Sequence, residues 1–434
     1  MNTKGARKFR GEAIVIVLLL IPILLWQFGS AKVVEPMSAA YIAGILGKAA
    51  ALVSIIAYSL MPILSMRHAF IVRIFGGIDS TYGLHKKIGK IAFYTIWAHP
   101  FLLAIKGFLK GKSVGGIWQW DSALIVSGIV AIGIFSAIMV ITIYSHIRHQ
   151  RWISFHRFFG WILPLIFFHA IVANSQIVKN KPLLIYVSII YGLGMIAFFY
   201  RSVFGKLISR YPYVVCEVNT PAAATTEVVL KPIGIPMTYN PGQFAYLSVI
   251  CPGIDPEAHP YSFTTAANGP YIRFVIKELG DDTKTMKNLV VGSKAFLEGP
   301  YGDFTYHNSR NKKQIWIAGG VGVTPFLSLA RSLKNKSAYR VQLFYASDRL
   351  EDTVFLRELL MIQKTIPDVF ELTVVNKNIS GFVSLELLQK QLGDLTGYDF
   401  FICGPPPMLK ILKGGLVKAH VSSTQVYTEE FSTL

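Results

Sequence analysis

The sequence predicts a multidomain protein: a six-helix transmembrane bundle, then a small antiparallel β-barrel, then an α/β domain built on a parallel sheet. Three observations predict it. Apolar residues make up 52% of the chain, and before residue 210 they gather into six runs long enough to cross a hydrocarbon core of about 30 Å. From about Tyr211 the pattern changes to short alternating runs bounded by turn residues, as in paired strands. From Gln314 apolar strand-like runs alternate with helical ones, the rhythm of a doubly wound sheet. The domain boundaries that follow are 1–210, 211–310 and 311–434.

The six spans read as about 12–30, 41–64, 85–106, 122–145, 156–176 and 182–204. The first lacks a small-residue cleavage site and is followed by further spans, so it is expected to remain a membrane helix. The net charge of +19 raises the question of nucleic acid, but its distribution excludes that reading. Residues 1–210 hold 22 Lys/Arg and 4 Asp/Glu, whereas 211–434 hold 21 and 20. The excess is therefore membrane topology. Lys4, Arg7, Lys8 and Arg10 precede the first span, and Arg67, Arg73, Lys86, Lys87, Lys90, Arg148, Arg151, Arg157, Arg201, Lys206 and Arg210 flank the even loops and the end of the sixth. The opposite side carries Lys32, Lys106, Lys110, Lys112, Lys179 and Lys181. The positive-inside rule then puts both termini in the cytoplasm of a multi-pass cell-membrane protein.

Two spans each carry two histidines: His85 with His99, and His156 with His169. At about 1.5 Å per residue, spacings of 14 and 13 separate each pair by roughly 20 Å, one ligand per leaflet. If the two helices run parallel, His85 faces His156 on the inner side and His99 faces His169 on the outer. Each facing pair can then grip an iron porphyrin from both axial sides. Fourteen residues fall only about 40° short of four turns, but thirteen fall about 140° off, so Pro164 is expected to distort the fifth span. A histidine satisfied within a packed core is the alternative for each taken alone; four at matched depth favour ligands, because polar groups at membrane depth are costly. His68, His146 and His149 lie among arginines and are read as interfacial, and His307 and His420 have no recognisable partners. The three cysteines, Cys216, Cys251 and Cys403, imply neither a disulfide framework nor a cysteine metal site.

In the last domain the first strand, Gln314–Ala318, runs into Gly319-Gly320-Val321-Gly322-Val323-Thr324-Pro325 and then a helix. Glycines let a backbone approach a pyrophosphate, and a helix N-terminus supplies N–H groups and a favourable dipole; a packing turn is the alternative. Upstream stand Pro241-Gly242-Gln243-Phe244, His259-Pro260-Tyr261-Ser262-Phe263-Thr264-Thr265, Gly280-Asp281-Asp282-Thr283 and Gly299-Pro300-Tyr301-Gly302, and downstream Cys403-Gly404-Pro405-Pro406-Pro407-Met408.

At these residues the chain resembles the ferredoxin-reductase-type flavoprotein module, and with the histidine pairs it resembles the NADPH oxidase and ferric reductase family over nearly its whole length. The resemblance implies an FAD-binding barrel, an NAD(P)-binding domain and two b-type haems held by His85, His99, His156 and His169. It implies that Tyr261 and Ser262 hold the flavin, with Pro260 in the same motif, Thr264 and Thr265 near its ring or phosphates, and His259 where soluble relatives carry arginine. Lys277 is placed to meet the FAD pyrophosphate, and Thr283 belongs to the same site. Gly319, Gly320, Gly322, Thr324, Pro325, Gly404 and Pro405 would seat the nucleotide beside Cys403. Phe431 resembles the aromatic that shields the flavin and moves for nicotinamide, although Ser432, Thr433 and Leu434 follow it. Ser347 and Arg349 suit the 2′-phosphate of NADPH, whereas Asp348 between them suits NADH.

The implied path runs from NAD(P)H through FAD and two haems to an extracytoplasmic acceptor, because flavin converts a two-electron donor into one-electron steps. Bis-histidine ligation of the outer haem would make oxygen reduction outer-sphere and yield superoxide. A ferric or cupric chelate is the alternative acceptor, and a quinone or partner redox protein the second alternative. No metal-holding cluster is visible in the outer loops, which favours oxygen. Against it, Leu103 stands where the oxidases carry a further histidine, with Lys48 as a substitute near the outer haem. Phe93, Trp97 and Trp161 lie between the haem levels, where packing explains them as well as electron transfer does. No calcium-binding loop or long extra segment points to regulatory subunits.

Overall fold

The computed structural model describes residues 3–29, 36–113, 123–144, 149–173, 175–205, 210–267, 269–309, 311–347 and 353–430. The chain divides into two compact units, Thr3–Ile208 and Ser209–Leu434.

The first unit is helical: α1 Thr3–Gly29, α2 Ala39–Ser65, α3 Ala69–Ile74, α4 Ile78–Leu109, α5 Ala123–Tyr144, α6 His149–Ala173, α7 Ser175–Lys179 and α8 Lys181–Phe199. Six of these, all but α3 and α7, are long and apolar enough to cross a membrane. Helices start and stop where the backbone finds a cap. Ser38 Oγ accepts from Tyr41 N at the start of α2, and Asn180 Oδ1 accepts from Leu183 N at the start of α8 while its amide donates to Leu25 O. The spans outrun their apolar stretches because helical hydrogen bonding continues where side chains turn polar; α4 begins seven residues before His85. Helix α2 lies at the centre, with Leu52, Ile56 and Ala57 fully buried, and packs on α4 and α8. Ile16, Leu20, Phe101, Ile185 and Ile196 point outward, as lipid-facing residues of a bundle do. Helix α6 runs from His149 to Ala173 with Pro164 inside it.

The second unit opens with six antiparallel strands, β1 Tyr211–Ala222, β2 Thr225–Pro232, β3 Phe244–Ile250, β4 His259–Ser262, β5 Ile272–Lys277 and β6 Lys294–Tyr301, in the order β4-β3-β6-β1-β2-β5. A bridge between Phe263 and Phe274 joins the two end strands, so the sheet closes into a barrel around Val228, Leu230, Phe263, Phe274 and Leu297. Five parallel strands follow: β7 Lys313–Gly319, β8 Arg340–Ser347, β9 Phe370–Asn376, β10 Asp399–Gly404 and β11 Val426–Glu430. Their order is β11-β10-β7-β8-β9. The chain leaves β7 in one direction and returns on its other side at β10. A switch point therefore lies between the carboxyl ends of β7 and β10, where doubly wound sheets bind ligands. Buried Asp399 pins this sheet to the incoming chain, accepting from Ser309 Oγ and Asn311 Nδ2.

Candidate functional site

In the membrane unit the histidines of α4 are fixed by the backbone of α2. His85 Nδ1 lies 3.1 Å from Met61 O and His99 Nδ1 2.9 Å from Gly47 O. The two carbonyls are 14 residues apart, as are the two histidines, so one antiparallel helix pair orients both rings alike. A carbonyl only accepts, so each Nδ1 carries the proton and each Nε2 keeps a lone pair free for a metal. On α6, His169 Nδ1 meets Ser127 Oγ at 3.1 Å, and Gly128 beside it leaves the ring room that a Cβ would take at 2.7 Å. His156 stacks on Trp152, and its buried Nδ1 has no hydrogen-bond partner among the described residues.

The rings of His85 and His156 face each other with centroids 6.1 Å apart. A metal bridging two imidazoles through bonds of about 2 Å needs roughly this spacing, so the inner pair fits a bis-histidine iron. Between the two histidine levels Phe93, Phe135 and Phe159 pack together, with centroids 6.2 and 5.4 Å apart. Sequence reasoning named Phe93 but missed Phe135, which sits on a span without histidines. Trp97 and Trp161 are instead about half exposed on the outside of the unit. Lys48 lies over the Trp26 ring, 5.8 Å from its centroid. Leu103 packs against Gly47.

In the barrel the flavin-motif residues separate by what they touch. Ser262 is buried on β4 and its Oγ has no partner among the described residues, an orphaned hydroxyl that fits a ligand. Pro260 is exposed, and His259 Nε2 stands 3.8 Å from Asp282 Oδ2. Burial, and secondly the nearby Asp282 charge, hold the Tyr261 phenol well above its ordinary pKa, so it stays a neutral donor. Lys277 is exposed at the end of β5. Thr264 is fully buried and its hydroxyl donates to Arg273 O, which gives it a supporting role in the segment. Thr265 Oγ1 lies 2.6 Å from Tyr239 Oη. Thr283 Oγ1 accepts from the backbone N–H groups of Leu279 and Gly280 and so caps the short helix Asp281–Thr285.

At the switch point the three glycines do different work. A Cβ on Gly322 would meet Cys403 O at 2.3 Å, and one on Gly319 would meet Met408 Sδ at 2.9 Å. Gly322 lets the turn after β7 press on the end of β10, and Gly319 makes room for Met408 of the helix that follows β10. Gly320 has φ +55° and nothing within 4 Å of where its Cβ would be, so its backbone is the part open to a ligand. Thr324 starts the helix Thr324–Ser332 with Pro325 next to it, and donates its hydroxyl to Val321 O. Cys403 and Gly404 end β10, and Pro405 caps the helix Pro406–Lys418. Complete burial, and secondly Glu429, push the Cys403 thiol well above its ordinary pKa, so it is a neutral thiol and not a nucleophile. Ser347 is nearly buried at the carboxyl end of β8. Arg349, Asp348 and Phe431 lie outside the described residues.

Three family models match, in chain order: a ferric reductase like transmembrane component over residues 50–167, an FAD-binding domain over 215–324 and an oxidoreductase NAD-binding domain over 316–414. Among curated proteins the chain is similar to the glycine betaine monooxygenase reductase subunit of Chromohalobacter salexigens, 30% identical over 210 residues, covering 44% of this chain and 56% of that protein. It is also similar to the flavohemoprotein of Vibrio cholerae, 26% identical over 231 residues, covering 50% and 58%. The chain thus spans little more than half the length of these relatives. A ferric-reductase-like membrane component followed by an FAD-binding domain and an oxidoreductase NAD-binding domain is the domain architecture of NADPH oxidases and ferric reductases, and this chain has it.

Proposed function

We propose that the chain carries electrons from cytoplasmic NAD(P)H to an acceptor on the far side of the membrane, with oxygen as the acceptor and superoxide as the product. Its membrane unit would hold two b-type haems, the inner through His85 and His156 and the outer through His99 and His169. The observation that carries this reading is the matched register of His85 on Met61 and His99 on Gly47, which leaves both Nε2 atoms free for iron. The orphaned Nδ1 of His156 and the spacing of its ring from His85 support it. Bound flavin and haem would supply the conversion of a two-electron donor into one-electron transfers.

The chain's own residues would bind and orient. Ser262 and Tyr261 would hold the flavin, with His259, Pro260 and Lys277 at its phosphate end and Thr264, Thr265 and Thr283 shaping the segments around it. Gly320 would admit the nucleotide pyrophosphate to the start of the helix Thr324–Ser332, and Gly319, Gly322, Thr324, Pro325, Gly404 and Pro405 would form its crevice. Cys403 would border the nicotinamide as a neutral group, and Phe431 would cover the flavin face. Ser347 with Arg349 favours NADPH over NADH. The basic residues flanking the even loops support a cytoplasmic side for both termini. The domains proposed are 1–210, 211–310 and 311–434.

Reduction of a ferric or cupric chelate is the second reading, favoured by apolar Leu103 packed on Gly47 one turn beyond His99. Both are tested by NADPH- and NADH-driven reduction of cytochrome c by the purified protein, with and without superoxide dismutase. Loss of the signal with dismutase is the expected result. A signal that survives dismutase moves the assignment to direct reduction of the added acceptor.

A further inference from the structure

The helix Thr324–Ser332 opens from the glycine turn at one end and presents two donors to the flavin motif at the other. Ser328, fully buried, donates from Oγ to Thr265 O at 2.6 Å. One turn later Arg331 donates from Nη1 to Thr264 O. The rest of the guanidinium is locked: Nε and Nη2 each lie 2.7 Å from one oxygen of Glu358, and the fork sits over the Phe355 ring at 5.3 Å. A two-pronged ion pair with only 14% of the arginine side chain exposed holds its geometry.

The receiving segment is held from the barrel side as well. Thr264 bonds Arg273 O through both its N–H and its hydroxyl. Tyr239 donates to Ala266 O and contacts the Thr265 hydroxyl, while its ring stacks on Phe263 at 3.9 Å. Thr264 and Thr265 lie two and three residues after Ser262 at the end of β4, so the carbonyls that Ser328 and Arg331 grip belong to the segment that shapes the flavin site. One short rigid helix thus touches the nucleotide turn at its start and the flavin motif along its length.

We propose that Ser328 and Arg331 are positioning residues that couple the nucleotide turn to the flavin motif, so that FAD and the pyridine nucleotide bind cooperatively. The inference rests on the assignment of flavin to the Tyr261–Thr265 segment and of nucleotide to the Gly319–Pro325 turn. Linkage makes the effect reciprocal: whatever factor the nucleotide adds to FAD affinity, FAD adds to nucleotide affinity. Arginine is required at 331, because lysine keeps the charge but cannot grip Glu358 with two prongs and Thr264 O with a third.

The test is calorimetric titration of FAD into the flavin-depleted full-length protein in detergent, with and without saturating NADP+ or NAD+. In the wild type the better nucleotide tightens FAD binding by about five-fold or more, within the usual span of such couplings. Ser328→Ala, a small change in a buried place, lowers that factor, and so do Arg331→Met and Arg331→Lys. The Ser328→Ala, Arg331→Met double variant brings it to about one. Nucleotide binding to the flavin-free Ser328→Ala protein matches the wild type. A wild-type factor of one with tight FAD binding, or an unchanged factor in the double variant, overturns the coupling. Absence of any FAD binding by the wild type overturns instead the flavin assignment beneath it.

Discussion

The two histidine-bearing helices are built on different terms. The histidines of α4 are tied to carbonyls of α2, so their aim is set by backbone that no side-chain change nearby alters. On α6, His169 Nδ1 meets the Ser127 hydroxyl, and His156 stacks on Trp152 while its buried Nδ1 has no hydrogen-bond partner among the described residues. The α4 half of the proposed metal site is thus fixed by backbone carbonyls, and we propose that the α6 half is the more adjustable. The same division recurs at the switch point, where Gly319 and Gly322 are committed to packing and Gly320 stays open.

The largest effect should come from the fixed half. His85→Ala is expected to remove the inner haem, halve the b-type absorbance of the purified protein and abolish transmembrane acceptor reduction; unchanged haem content would break the comparison at its root. At the switch point, Gly322→Ala drives a methyl group into Cys403 O and should cost on the order of 2 kcal/mol of stability, as overpacking does, seen as a lower thermal midpoint. Gly320→Ala should cost less stability but weaken nucleotide binding, and an inverted order would show that Gly320 is the packing residue.

Tyr239, which supports the Thr264–Thr265 segment, gives a pH test. Burial pushes its phenol up to about 12, so the folded protein keeps the proton that the unfolded chain loses from about pH 10. Its contribution is fully present below pH 10 and lost as pH rises toward 12, a change on the order of 2 kcal/mol. Tyr239→Phe should flatten that alkaline loss; an identical pH profile would remove Tyr239 as its source. Ser127→Ala should have the smallest effect, a loss of about ten-fold or so in outer-haem retention, the scale of a removed partner behind a metal-bound histidine. A complete loss would show that α6 is as rigidly preset as α4.

The architecture was legible because hydropathy, alternation and strand–helix rhythm are properties of composition along the chain, and the expected strand Gln314–Ala318 lies in the parallel sheet. The α4 histidines were legible from their near-integral number of turns. The phase of the α6 histidines was less legible, because thirteen residues do not make whole turns and Pro164 lies between them. The roles of single residues were less legible, since spacing does not report packing. It did not show that the Thr264 and Thr283 hydroxyls bond backbone groups. Nor did it show that Gly319 packs against Met408 and Gly322 against Cys403. Arg331 and Ser328 left no local signal, because their partners lie 67 and 63 residues away.

The most direct test of the paired-histidine account is the haem-to-protein ratio of the purified protein, taken with its reduced absorption spectrum and the low-temperature electron paramagnetic resonance of its oxidised form. Two haems per chain, with b-type bands and low-spin signals of bis-imidazole ligation, are the predicted result. One haem or none, or a high-spin five-coordinate signal as the main species, would contradict it.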